Sequence, residues 1–119
     1  LPAVGQGVIG IECRDDDAAL HALLAPLDHA TSRHRVTAER ALNAHLNGGC
    51  QVPIAAHAVV AGDQLVLDAL VGGLHDRTLL RERIEGPVSE AAALGHTLAE
   101  TLIARGADRL LHEWASHAP

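Results

Sequence analysis

The chain has 119 residues, 48% of them hydrophobic, which suits one compact domain or one domain with part of another. A net charge of −6 disfavours nucleic acid and anionic membranes as partners, and all of its basic residues are arginine. One aromatic residue of the Phe, Tyr and Trp class, Trp114, leaves no platform on which bases could stack.

Other totals narrow the class further. No apolar run reaches the roughly 18 residues of a membrane-spanning helix. The opening "LPAVGQG" has neither the basic start nor the apolar stretch of a signal peptide. Two cysteines, Cys13 and Cys50, are too few for a disulfide framework, so a cytoplasmic setting is expected. The first residues read as the middle of a longer chain, and the sequence is expected to be a fragment.

In chain order, "GVIGIEC" (Gly7–Cys13) is a short β-branched run that predicts a buried strand. Asp15, Asp16 and Asp17 then offer a helix start, with Leu20, Leu23, Leu24 and Leu27 at helical spacing and Pro26 marking the end. A second helix is expected from Thr31 or Ser32 to Leu46, with Ala38, Ala41, Leu42 and Leu46 as its apolar stripe. Asn47, Gly48 and Gly49 supply its stop.

The period then changes from 3.6 to 2. Val52, Ile54, Ala56, Ala58 and Val60 alternate along one strand, and Leu65, Leu67, Ala69 and Val71 along the next, with "AGDQ" as the tight turn between. A charged edge strand is expected over Thr78–Ile84. A long helix over Val88–Ala104 and a last helix over Asp108–Ser116 complete the pattern. The fold class is therefore α+β: a three-stranded antiparallel sheet covered on one face by about three helices, preceded by a strand-helix segment belonging to another domain.

Several motifs invite functional readings. "GQGVIG" (Gly5–Gly10) has the letters of a dinucleotide loop, with Asp28 at the distance of a ribose carboxylate, but it leads into a predicted strand where that loop needs a helix. "HEWASH" puts His112 and His117 five apart, where a zinc-binding helix needs four. Cys13, His45, Cys50 and His57 form no tight ligand pair, so a metal site would have to be assembled in space. Ser32, Ser89 and Ser116 lie where capping or exposure is the ordinary role. Arg33, Arg35 and Arg40 share one helix, either as a solvated face or as anion contacts.

Cys50 follows the double glycine directly. The negative end of a helix and the absence of an adjacent base disfavour a low-pKa thiolate, so a turnover nucleophile does not fit. Either a small buried residue or a singly alkylated anchor fits better, and Gly48 and Gly49 would let a bulky adduct approach the backbone.

"LPAVGQGVIGIECR" followed by "RVTAERALNAHLNGGCQVPIAAHA" resembles the C-terminal part of porphobilinogen deaminase, also called hydroxymethylbilane synthase. The resemblance is strongest at 1–14 and 35–54 and weakens beyond Val60. It implies a transferase of porphyrin and haem biosynthesis, with three domains, that condenses four porphobilinogen molecules into hydroxymethylbilane. The tetrapyrrole grows on a dipyrromethane held by a thioether, and the attachment point here would be Cys50, with Gly49 beside it. Gln6 and Gly7 would lie near the cofactor pocket. Residues 1–28 would be the crossover, strand and helix of domain one, and residues 29–119 the third domain. No catalytic residue and no metal ligand is expected in this chain. Its partners would be porphobilinogen, the growing pyrrole chain and the N-terminal domains, with self-association through the first segment as a further expectation. The alternatives are a non-catalytic α+β binding or assembly module in which Cys50 is structural, and a metal-binding domain.

Overall fold

A computed structural model of the protein describes residues 1–46, 53–74 and 77–116. Helix α1 spans Ala18–Leu24 and runs into a 3-10 turn over Ala25–Leu27 that holds Pro26. Asp17 caps α1, its carboxylate accepting from the Leu20 amide at 3.0 Å. Helix α2 spans Ala30–His45; its cap is His29, whose ring accepts from the Ser32 amide, rather than Thr31 or Ser32.

Strands β1 (Ile54–Ala61), β2 (Gln64–Gly72) and β3 (Leu79–Pro87) form an antiparallel sheet in sequence order. A 3-10 turn at Val88–Glu90 leads into α3 (Ala91–Ala104), and α4 covers Ala107–Ser116. The β1–β2 turn is tight because Ala61 pairs with Gln64, and Gly62 takes the left-handed conformation there at φ +61.

One sheet face builds the core. Register aligns Ala58 with Leu67 and Leu67 with Ile84; the next inward row is Ala56, Ala69 and Glu82, and the last is Ile54, Val71 and Leu80. Onto this face pack Leu42 of α2 and Leu46 at its C-cap, Leu94, Leu98 and Leu102 of α3, and Leu110 of α4. The opposite face carries His57, Asp68, Arg81 and Arg83 and remains more open. The two long helices meet at Gly95, where an added Cβ would run into the Ala38 carbonyl oxygen. Arg105 ties the end of α3 to β3 by donating to the Arg81 carbonyl at 2.9 Å and to Glu82 at 2.6 Å. The Trp114 indole donates to the Gly72 carbonyl at 3.2 Å, seating α4 on the end of β2.

The expected strand at Gly7–Cys13 does not form. Residues 8–14 have no ladder partner, and Ile9 is 90% exposed and Ile11 55%, because no strand among the described residues pairs with them. The α1 stripe is covered only in part, with Leu20 and Leu24 half-buried and Leu23 74% exposed. The first residues do reach the sheet: Ala3 bridges Ala55 and the Ala56 amide donates to the Pro2 carbonyl at 3.1 Å, on the free edge of β1. The expected helix stop at Asn47–Gly49 lies outside the described residues.

Candidate functional site

Helix α2 organises the region. Its N-terminal half faces the first segment of the chain, and its last residues lead to the joint where Cys50 stands. Cys50 and Gly49 themselves lie outside the described residues. Gln6 and Gly7 sit in a tight turn: the Gln6 amide donates to the Ala3 carbonyl at 3.2 Å, and the Gln6 side-chain oxygen accepts from the Ala3 amide at 3.3 Å. Gly5 and Gly7 adopt φ +71 and +83, which glycine alone takes without strain, and nothing stands within 4 Å of where a Cβ would be. The turn therefore presents open backbone that a ligand could approach.

Between this turn and α2 lies a broad groove of about 950 Å³, with Gln6 to Ile11 on one wall and Arg33, Arg35 and Arg40 on the other. The three arginines are not equivalent. Arg33 pairs with Asp28 at 2.6 Å. The Arg35 Nε donates to the Ala58 carbonyl at 2.7 Å, so that side chain is committed to the sheet edge. Arg40 is exposed and has no ion pair among the described residues, which makes it the cation most available to an anionic group. Of the three guanidinium groups on this groove, that of Arg40 is the one open to an anion.

Glu39 was not singled out by motif. It is 5% exposed, and its two oxygens accept from the Gly5 amide at 2.8 Å and the Ala58 amide at 3.0 Å. The signal for it was present in the sequence: position 39 lies three before Leu42 and seven before Leu46, on the apolar stripe itself. A charge at such a position needs partners, and backbone amides from two distant segments provide them.

The remaining candidates are dispersed. Cys13 Sγ lies 3.8 Å from either ring nitrogen of the exposed His21. His57 is on the outer sheet face opposite Asp68. His45 bonds Glu100 and lies against His96 in a tilted arrangement with ring centroids 4.0 Å apart. Among the described residues no group of three His, Cys, Asp or Glu side chains is arranged to hold a metal ion. The "GQGVIG" glycines open onto extended chain and not onto a helix, so the dinucleotide geometry is missing. His112 lies on α4, and His117 is outside the described residues.

A family model described as porphobilinogen deaminase, C-terminal domain, matches residues 33–104. The match runs from the first turn of α2 through the whole sheet to the end of α3, well over half of the chain, and it spans the α2–β1 joint.

Proposed function

The chain belongs to the porphobilinogen deaminase family, and from that premise we propose that it is the cofactor-bearing part of a hydroxymethylbilane synthase, with Cys50 as the covalent anchor. The family places it in tetrapyrrole biosynthesis as part of a transferase. The observation that carries the reading is that the matched region includes the α2–β1 joint, where "GGCQVPI" stands.

The described residues fit a dipyrromethane in charge and in space. Arg40 offers a cation to its carboxylates, and Gln6 and Gly7 offer a side-chain amide and open backbone across the groove. When bound, the dipyrromethane supplies the pyrrole end on which condensation with porphobilinogen takes place. This chain's own part is to hold that group by Cys50, orient it with the Gln6–Gly7 turn and balance its negative charge. Residues 1–28 are assigned to domain one and 29–119 to the third domain. No helix among the described residues is long and apolar enough to cross a membrane, and the cytoplasm is the proposed compartment.

The matched motifs do not include the family's catalytic aspartate, so the isolated 119 residues should not catalyse the condensation. Intact mass followed by peptide mapping tests the anchor. An added mass that maps to Cys50 as a dipyrromethane supports it; a stable adduct on Cys13 or on no cysteine, in protein isolated with its full complement of domains, overturns it. Hydroxymethylbilane formed by the pure chain would overturn the assignment of inactivity.

A further inference from the structure

Three segments distant in sequence meet at one side chain. Glu39 lies on the buried stripe of α2, one helical turn after Arg35. Together the two side chains read both backbone polar groups of Ala58: Glu39 accepts from its amide and Arg35 donates to its carbonyl, at 3.0 and 2.7 Å. They occupy the edge of β1 as a neighbouring strand would, next to the point where Pro2 takes the Ala56 amide. The second Glu39 oxygen remains, and it accepts from the Gly5 amide at 2.8 Å.

We propose that Glu39 is a positioning residue: a latch whose carboxylate fixes the Ala3–Gly7 turn against α2, so that Gln6 and Gly7 are held over the groove on the helix that leads to Cys50. The two sides of the latch differ in stiffness. Ala58 is fixed within the β1–β2 ladder, opposite Leu67. Gly5 is held from the arm, whose other ties to the body here are the Pro2 and Ala3 contacts with β1 and the half-buried Val4 side chain packed against the core. Loss of one acceptor therefore releases the turn and leaves the strand in place.

The chemistry requires a carboxylate. A carboxylate accepts through both oxygens, whereas a glutamine of the same size presents one oxygen and one donating NH2. In Glu39→Gln the carbonyl stays with the better-fixed Ala58 amide, and the NH2 then faces the Gly5 N–H donor to donor. Glu39→Asp keeps the charge but shortens the reach by one methylene. The consequence for Gln6 and Gly7 rests on their reading as pocket contacts; the latch itself does not.

Amide hydrogen exchange on the intact chain, followed by NMR, tests the latch. In the native chain the Gly5 amide should exchange at least about tenfold more slowly than an unstructured glycine. In Glu39→Gln that protection should be lost at Gly5 while Leu67 and Leu98 remain protected as before. Full exchange at Gly5 in the native chain overturns the latch without any variant, and so does a uniform loss of protection across Gly5, Leu67 and Leu98. Titration with porphobilinogen separates the two readings. Shifts at Gln6 and Gly7 in the native chain that vanish in Glu39→Gln support the positioning role. An unchanged response in the variant overturns that role. No response in the native chain, with selective exchange at Gly5 intact, upholds the latch and removes the pocket reading of the turn.

Discussion

The arm formed by residues 1–29 and the body formed by α2, the sheet, α3 and α4 have similar apolar patterns and opposite fates. In the body, Leu94, Leu98 and Leu102 recur at helical spacing, and Leu98 and Leu102 are 1% and 0% exposed. In the arm, Leu20, Leu23, Leu24 and Leu27 recur in the same way, yet no residue from 1 to 29 is buried. Periodicity decides which side chains share a face. Burial needs a second surface, and α3 has the sheet and α2 where α1 has only a groove wall. The energetic consequence is that burial of apolar area, worth roughly 25 cal/mol per Å², stabilises the body and is not collected by the arm.

The largest effects should come from breaking the body. Leu67 stands at the centre of the sheet, fully buried between Ala58 and Ile84. Leu67→Ala should lower unfolding stability by about 3 kcal/mol, the transfer loss plus a cavity that neighbouring strands cannot close. Urea unfolding read by Trp114 fluorescence measures it, since that indole is bonded to the end of β2. Gly95→Ala should cost somewhat less, about 2 kcal/mol, because the added methyl meets the Ala38 carbonyl, the Ala41 Cβ and the Leu42 amide and forces the helices apart. The gain in helix propensity, about 1 kcal/mol, does not offset this. A stabilised Gly95→Ala protein would show that α2 and α3 cross less closely than described.

The same contrast explains what the sequence revealed. The sheet was legible because its strands are consecutive hairpins whose period-2 alternation is local, and β3 differs from expectation mainly in running on to Pro87. Helix α3 was legible as one unit, although its first turn is 3-10. The strand expected at Gly7–Cys13 failed because a strand is completed by neighbours, and a run such as "VIGIEC" carries no information about whether they are present. The bridge of Ala3 to Ala55 and the double role of Glu39 are contacts between distant positions, invisible to any local window. Helix α2 starts at Ala30, ahead of the expected Thr31 or Ser32, because the His29 ring accepts from the Ser32 amide and so caps the first turn. The roles given to Gln6, Gly7 and Cys50 rest on resemblance, and the local physics of Cys50 alone left a small buried residue as a fair alternative.

The smallest expected effect sharpens the comparison most. Ile9 is the most exposed large apolar residue described, at 90%. If the arm is held by the Pro2, Ala3 and Gly5 contacts and by Val4 against the core, Ile9→Ser removes no packing, and stability should change by less than about 0.5 kcal/mol. Thermal unfolding should be run on native and variant protein at several concentrations, because association stabilises by mass action and monomeric folding does not. Equal melting temperatures at every concentration place Ile9 in solvent and leave the arm as a surface awaiting another domain. A melting temperature that rises with concentration in the native chain, and loses that rise in Ile9→Ser, means that copies of the arm cover one another. In that event the apolar stripe has found its second surface in another molecule, and the difference between arm and body becomes one of where the partner comes from.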